Sequence, residues 1–313
     1  MDIPAQINGA KYQSRRNWFG AKKQVKRVLG FKPLNRPLIG LLSGLDRAER
    51  FYRIPVNLAE VEAEVEGKTF TLLHPMQCCI ANEIFWGKGQ RLKRDDRLAL
   101  KIFFRLAKTA EVVFDIGANT GLYSMVAALA NPELQIHAFE IVPEVMIALQ
   151  RNFFRNDIHF RSECHFYGIG KEGAMLTMPL GNEGSGLPTT LSSRTRFDSG
   201  VRVKTRSLNS LAALLRDRSR VLIKIDAEGT EDEIFASGEA FIQAFRPDIL
   251  CEILPAESAA DEIQAIVQRH AYRTYQVQDD RLEEFPRIIP DAKHLDWLFT
   301  GKSREQLQAL ALI

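Results

Sequence analysis

Three acidic side chains each follow a short apolar segment and precede a turn: Asp115, Glu140 and Asp226. In a sheet of parallel strands, ligands bind beyond the carboxyl ends of the strands, so acids placed there face a common crevice. A carboxylate in this position attracts a cationic group and accepts hydrogen bonds from hydroxyl groups. The pattern therefore predicts a site for a ligand that carries an amino group and hydroxyl groups.

The turn after Asp115 contains Gly117, Asn119 and Gly121. Because glycine has no Cβ, the backbone of such a turn can approach a ligand closely. The turn lacks the G-x-G-x-x-G spacing that places the pyrophosphate of a dinucleotide on a helix N-terminus. This departure counts against an NAD-dependent dehydrogenase, and the acid at position 115 suits a cationic ligand without a phosphate.

The position of Glu140 adds to this signal. It lies nineteen residues after Gly121, which is about the separation at which an acid accepts two hydrogen bonds from a ribose. A glycine turn alone is weak evidence, but the turn and the correctly spaced acid together predict a ribose-bearing ligand.

Lys224 lies inside an otherwise apolar segment, which predicts a central strand with a charged residue in its middle. A central parallel strand is covered on both faces, so Lys224 and Asp226 need partners. The candidate partners of Lys224 are Asp226 and Glu252, and a role as a catalytic base is the alternative. Thr230 and Glu233 have the spacing of a capping box, which predicts that a helix begins there.

Strand-like and helix-like segments alternate from residue 111 onward. The predicted strands are 111–116, 134–139, 163–169, 220–226, 247–252 and 272–277. The predicted helices lie near 120–130, 142–155, 207–217, 230–245 and 259–270. Such alternation implies a mostly parallel sheet with helices on both faces. A strand or hairpin at 56–73 and an amphipathic helix at 95–107 precede it.

The first part of the chain is strongly basic. Of the 313 residues, 45% are hydrophobic and 26% are charged, as in an ordinary globular protein. Residues 1–53, however, carry twelve Lys or Arg and only three Asp or Glu. A helix predicted over residues 17–29 has a basic and an apolar side, which suits a membrane surface. The alternative is a helix that packs against the body of the same protein.

Targeting and redox signals indicate a cytoplasmic protein. The polar start of the chain does not resemble a signal peptide, and the apolar stretch 37–45 is far shorter than the ~20 residues that span a bilayer. The cysteines lack metal-ligand spacing, and two of them are neighbours; they are Cys78, Cys79, Cys164 and Cys251. We therefore expect reduced thiols, with peripheral contact at a membrane through the basic segment as a further expectation.

Three sequence blocks carry a resemblance to a known family. They are F-D-I-G-A-N-T-G at 114–121, A-F-E-I-V-P at 138–143 and I-K-I-D-A-E-G-T-E at 223–231. Over about residues 80–300 the chain resembles the FkbM-family methyltransferases, and D-W-L-F at 296–299 resembles that family's last strand. The resemblance implies the α/β fold of the class I Rossmann-like methyltransferases, a doubly wound, mostly parallel seven-stranded sheet, here with a basic N-terminal extension.

The resemblance also implies S-adenosylmethionine as the methyl donor. The hydroxyl oxygen of a sugar, glycan or secondary metabolite is then the expected acceptor. The residues implied to bind the cofactor are Asp115, Gly117, Asn119, Gly121 and Glu140. Asp226 is the first candidate to orient or deprotonate the acceptor hydroxyl, with Glu228 second and Lys224 as an added catalytic candidate. Family members usually carry Leu-Asp where this chain has Leu208-Asn209, so we assign no role to that position.

The expected organisation has three parts. A basic arm or helical extension spans 1–55, accessory strands and a helix span 56–108, and the cofactor-binding methyltransferase domain spans 109–313. Within the last part, 180–206 is a candidate substrate loop, because it interrupts the alternation with Gly, Ser, Thr and basic residues.

Other functions stay open at this point. The basic head keeps an RNA or other nucleic-acid methyltransferase as an alternative, although the Asp/Asn-Pro-Pro motif of many base-modifying enzymes is absent after the fourth strand. A catalytically inactive binding module is the non-enzymatic alternative. A divalent metal held by Asp226, Glu228 and Glu252 is chemically reasonable, but no motif demands it, and the expectation is a site without metal.

Overall fold

The computed structural model describes residues 28–178, 200–255 and 260–313. The helix predicted over residues 17–29 and the candidate substrate loop 180–206 lie largely outside these ranges. The described end of that loop, from residue 200, enters a β-strand.

From residue 30 to residue 107 the structure contains a β-hairpin and three α-helices. These elements are α1 (Lys32–Ser43), β1 (Glu60–Val65), β2 (Lys68–Leu73), α2 (Cys79–Trp86) and α3 (Arg94–Ala107), with a 3-10 helix at Ala48–Phe51. The hairpin turns through Glu66 and Gly67, which have φ values of 48° and 74°, the geometry that two-residue hairpin loops favour. The strand or hairpin predicted at 56–73 is confirmed as a hairpin.

The rest of the chain alternates strands and helices as predicted. The strands are β3 (Val112–Ile116), β4 (Gln135–Phe139), β5 (Ser162–His165), β6 (Gly168–Ile169), β7 (Met175–Met178), β8 (Val201–Arg206), β9 (Val221–Ile225), β10 (Asp248–Glu252), β11 (Arg273–Val277), β12 (Leu282–Glu284) and β13 (Asp296–Thr300). The helices are α4 (Leu122–Ala130), α5 (Pro143–Arg155), α6 (Ala212–Leu215), α7 (Glu231–Ser237), α8 (Glu239–Phe245), α9 (Ala260–Arg269) and α10 (Arg304–Ala309).

The central sheet is mixed and has the order β12-β11-β13-β10-β9-β3-β4-β5. From β5 to β10 neighbouring strands are parallel, whereas β13 runs antiparallel to both β10 and β11. The expected class of fold is therefore confirmed. The expected count of seven strands is wrong by one, because the short strand β12 turns back and pairs with the edge of β11.

Two apolar clusters cover the two faces of this sheet. On one face, Val113 and Leu222 pack with residues of α3, α4 and the hairpin. On the other face, Phe114 and Ile223 pack with residues of α6, α7, α8 and α9. Because successive side chains of a strand point to opposite faces, each strand must be apolar on both sides, which explains the continuous apolar segments of the sequence.

Two predicted elements are broken in the structure. The segment 163–169 divides into β5 and β6, because β6 leaves the central sheet and joins β8 and β7 in a separate three-stranded sheet. The helix predicted at 230–245 divides at Gly238, where a Cβ would overlap the side chain of Leu208. Periodicity alone reveals neither break, since both arise from contacts between distant segments.

None of the helices in the described ranges combines the length and the apolar composition needed to cross a bilayer. None of the four cysteines is paired with another, and Cys78 and Cys251 are buried.

Candidate functional site

The carboxyl ends of β3, β4, β9 and β10 meet at one edge of the sheet, which we call the carboxyl edge. Asp115 is paired in register with Lys224, and Ile116 with both Phe139 and Ile225. The residues that follow these strands are therefore neighbours, and the amide of Asp226 donates a hydrogen bond to the carbonyl of Ile116 at 3.0 Å. The acids predicted to share a crevice are thus brought to the same edge.

Asp115 is buried and holds the start of α4. One carboxylate oxygen accepts hydrogen bonds from the amide and the hydroxyl of Ser124, at 3.0 and 2.6 Å. Burial raises the pKa of Asp115 to about 6, while these hydrogen bonds act in the opposite direction. The first role of this carboxylate is therefore to order the glycine turn and its helix, and its contact with a ligand stays a prediction.

Two glycines allow the turn to pack closely. Gly117 has φ 76°, and a Cβ there would overlap the carbonyl oxygen of Asp226. Gly121 has φ 84°, and a Cβ there would lie 2.6 Å from Leu149 Cδ1. Both positions need glycine because of backbone conformation and lack of space. The contact of Gly117 also joins the two turns that carry the proposed cofactor-binding and catalytic residues.

Glu140 is buried and accepts three backbone hydrogen bonds. Its Oε1 accepts from the amides of Ile141 and Val142 at 2.7 and 2.8 Å, and its Oε2 accepts from the amide of Asn119 at 2.9 Å. Burial raises the pKa of Glu140 to about 7, against the lowering effect of these amides. Asn119 and Glu140, both predicted to bind the cofactor, are thus in direct contact.

A buried asparagine supports the glycine turn from behind. Asn152 donates from Nδ2 to the carbonyl of Thr120 at 2.9 Å, and its Oδ1 accepts from the amide of Leu73 at 2.9 Å. It therefore connects α5, the turn and the hairpin.

Lys224 is buried, with its ammonium group at the carboxyl edge. Its Nζ forms an ion pair with Asp296 Oδ1 at 3.0 Å and lies 5.0 Å from the centroid of the Tyr123 ring. Burial alone would lower the pKa of Lys224, but the surrounding acids, Asp296 foremost, raise it well above its usual value. The direct ion-pair partner is Asp296, which the sequence did not indicate, whereas the expected partners Asp226 and Glu252 act on Lys224 as neighbouring charges.

Asp226 follows β9 and Glu252 ends β10, and their carboxyl groups interact at the carboxyl edge. The charge of Asp226 raises the pKa of Glu252 well above its ordinary value, and burial and the hydrogen bond between the side chains act in the same direction. Two neighbouring carboxylates repel each other when both are ionised, so Glu252 takes up a proton more readily than an ordinary glutamate.

The turn between β9 and α7 differs from its prediction. The Thr230 side chain makes no capping bond, so the predicted capping box is absent. Instead, Glu231 accepts hydrogen bonds from the amides of Ala227 and Gly229, at 3.0 and 3.1 Å. Glu228, predicted as the second catalytic residue, is exposed in this turn with φ 54°.

The sequence missed the part of the site that comes from other segments. The sequence placed Asp296 only in a terminal strand. The available signal was Lys224 itself, because a lysine inside a central strand requires an acidic partner. Arg91, which precedes α3, pairs with Asp96 at 2.6 Å and with Glu83 at 3.0 Å. The charges of Asp96 and Arg91 both act on Tyr123, so the accessory segment contributes to the electrostatics of the carboxyl edge.

Metal-ligand geometry occurs elsewhere in the described ranges. The one cluster of three His, Cys, Asp or Glu ligand atoms within 4.8 Å of one another is His137, Glu163 and His165. Asp226, Glu228 and Glu252 do not converge in this way. His137 is buried on β4 and lies 3.0 Å from His165, Nδ1 to Nε2, so it is a hydrogen-bonded histidine of the core.

The carboxyl edge carries more acidic than basic side chains. Asp115, Glu140 and the Asp226–Glu252 pair lie there, while the ammonium of Lys224 is already paired with Asp296. A cationic ligand would reduce the electrostatic cost of these buried acids. The donor set therefore fits a ligand with positive charge and hydroxyl groups.

Comparison with known proteins agrees with this chemistry. Residues 115–274 match the methyltransferase FkbM domain. The chain is 25% identical to the 31-O-demethyl-FK506 methyltransferase FkbM of Streptomyces tacrolimicus, over 62% of this chain and 85% of that protein.

Two solved structures are also similar to the chain. Methyltransferase FkbM from Methylobacillus flagellatus KT has 16% identity and a TM-score of 0.41, over 61% of this chain and 43% of that chain. This chain thus spans less than half of that protein's length. An O-methyltransferase from Bacillus cereus, in complex with SAH, has 13% identity and a TM-score of 0.35, over 66% of this chain and 79% of that chain.

Proposed function

The chain belongs to the FkbM methyltransferase family, and from this premise we propose that it transfers a methyl group from S-adenosylmethionine to a hydroxyl oxygen of a sugar, glycan or secondary metabolite. The name of the Streptomyces relative describes methylation of an oxygen, which supports a hydroxyl acceptor here. When bound, the cofactor supplies an electrophilic methyl group on a sulfonium. The protein then has to position the acceptor and receive its proton.

The glycine turn and the acid after β4 are the proposed cofactor site. Gly117, Asn119 and Gly121 form the turn, Asp115 orders it from below, and Glu140 joins it through the amide of Asn119. Glu140 Oε2 accepts a single bond from these backbone amides, whereas Oε1 accepts two. We therefore assign Oε2 to accept a hydrogen bond from the ribose.

The carboxyl groups of Asp226 and Glu252, which act on each other at the carboxyl edge, are the observation that carries the proposed reaction. The backbone of Asp226 packs against Gly117, so Asp226 lies directly beside the turn of the proposed cofactor site. We assign to Asp226 the hydrogen bond that orients the acceptor hydroxyl and the uptake of its proton as the new carbon–oxygen bond forms. Glu228 is the second candidate for this role.

Lys224 acts as a positioning residue in this scheme. An ammonium whose pKa is raised by Asp296 keeps its proton at neutral pH, so it is a poor base. Its charge stabilises the carboxylates around it, and its ion pair fixes the end of β9 relative to β13.

Calorimetric titration of S-adenosylmethionine and S-adenosylhomocysteine tests the cofactor site. We expect micromolar binding to the wild type and at least a tenfold loss in Glu140→Gln, about the effect of one hydrogen bond to a charged group. Glu60→Gln is the matched control, because the side chain of Glu60 is exposed and, among the described residues, forms hydrogen bonds with Arg155. No binding of either compound to folded wild-type protein would contradict the proposed function.

Turnover is measured separately, as release of S-adenosylhomocysteine in the presence of a panel of sugars, nucleotide sugars and polyketide alcohols. An acceptor in this panel that increases the release names the substrate class. Binding without an increase for any hydroxyl compound would favour an acceptor of another chemistry.

A further inference from the structure

Helix α1 is attached to the body of the protein along one side. Ile39 is buried in a cluster with Val56 and Trp86. Asn35, one turn earlier, is buried too and donates from Nδ2 to the carbonyl of Pro55 at 2.7 Å. Residues four apart lie on the same side of a helix, so these contacts fix the side that α1 presents to the body.

A second side of α1, extended by Leu45 just beyond the end of the helix, is apolar and largely exposed, with Leu38 half-buried. Leu34, Leu38, Leu41 and Leu45 follow one another at intervals of four, three and four residues, and we call this set the leucine stripe. Leu34, Leu41 and Leu45 are 61%, 69% and 45% exposed, and Phe31 beside them is 58% exposed. Isolated exposed apolar residues are ordinary, but a continuous group of this size marks an interaction surface.

The segment that carries the leucine stripe is positively charged. Residues 28–53 carry five Lys or Arg and two Asp or Glu, and residues 1–27 carry seven and one. Lys32 and Arg36 are exposed and project from the side of α1 away from the stripe. The partner that fits is therefore apolar where it meets the leucines and anionic around them. A second copy of this segment would bring the same positive charge and repel.

We propose that α1 lies on the surface of an anionic lipid bilayer, with the leucine stripe at the boundary of the acyl chains and the basic residues among the headgroups. An amphipathic helix with Lys and Arg on its polar side binds membranes in this way, through buried apolar area and attraction to acidic lipids. In this arrangement α1 holds the catalytic domain at the membrane surface. The proposal does not depend on the methyl-transfer reaction.

Flotation of the full chain with lipid vesicles tests this surface. We expect binding to vesicles of phosphatidylcholine mixed with phosphatidylglycerol, weaker binding to phosphatidylcholine alone, and weakening by salt. Leu41→Glu should reduce vesicle binding about tenfold or more, since it removes a leucine that is buried in the acyl region when the protein is bound. Ile289→Glu is the matched control, because Ile289 is also exposed, at 58%, and lies outside α1.

Three results would overturn the proposal. The first is wild-type protein that does not bind the mixed vesicles. The second is binding that Leu41→Glu and Leu34→Ser both leave unchanged while they fold normally. The third is a lipid-free dimer that Leu41→Glu converts to a monomer, which would assign the stripe to a second copy of the chain. Thermal unfolding of each variant shows that the substituted protein is folded.

Discussion

Lys224 and Asp296 form an ion pair that crosses the strand between them. Lys224 is on β9 and Asp296 begins β13, with β10 in between, and the two side chains are 2% and 15% exposed. Asp296 is also the register partner of Glu252, whose pKa is raised by the charge of Asp226. The pair therefore joins the parallel part of the sheet to its antiparallel strand at the place where the proposed chemistry occurs.

Removal of this lysine should be costly. Lys224→Met leaves Asp296 in a largely buried position without its cation, so we expect a loss of roughly 3 kcal/mol in the free energy of unfolding. The measurement is urea denaturation. The double variant Lys224→Met/Asp296→Asn should recover part of this loss, because it removes the unpaired charge as well. If the loss in the double variant equals the sum of the losses in Lys224→Met and Asp296→Asn, the ion pair contributes no coupling energy.

Alanine at Gly117 should disturb the site beyond the strain of its backbone. Gly117→Ala places a Cβ against the carbonyl of Asp226. Gly67 is the matched control, because its φ of 74° is close to the 76° of Gly117 and a Cβ there would meet open space. Gly67→Ala should cost only the left-handed conformation, about 1–2 kcal/mol. We expect a larger loss of stability for Gly117→Ala, and at least a tenfold loss of S-adenosylhomocysteine affinity because the turn moves. Equal effects in the two variants would show that the contact is unimportant.

Binding of the cofactor should release protons near neutral pH. The pKa of Glu140 is raised to about 7 in the protein, so part of the population is protonated at pH 7. A ligand that donates a hydrogen bond to the carboxylate lowers this pKa and expels the proton. Affinity should therefore fall as the pH drops from 7 toward 5. Calorimetry in buffers with different heats of ionisation measures the release, which should be absent in Glu140→Gln.

The two members of the carboxyl pair should respond differently to amide substitution. Glu252→Gln keeps a hydrogen-bonding group of the same shape and removes a charge that the neighbouring Asp226 disfavours, so turnover should stay within about tenfold of the wild type. Asp226→Asn removes the carboxylate and should lower turnover by about 10²–10⁴ while cofactor affinity changes only a few-fold. Turnover under saturating cofactor distinguishes them. Full activity of Asp226→Asn would exclude this residue from the mechanism.

The sequence by itself determined the local part of the fold and of the candidate site. Apolar segments bounded by turns gave the positions of the strands within a few residues, because periodicity and breaking residues are local signals. The glycines at 117 and 121 and the acids at 115 and 140 are likewise set by neighbours in the chain, and the structure brings all four to the carboxyl edge. Their contact with a cofactor stays a prediction.

Only the tertiary structure decided which distant groups meet. Asp296 is 72 residues from Lys224, and it becomes the partner because β13 enters the sheet between β10 and β11. The same strand order places Asp296 beside Glu252. The leucine stripe depends in the same way on which side of α1 packs against Trp86. Strand order and helix facing result from packing of the whole chain, and a one-dimensional pattern of residues leaves them open.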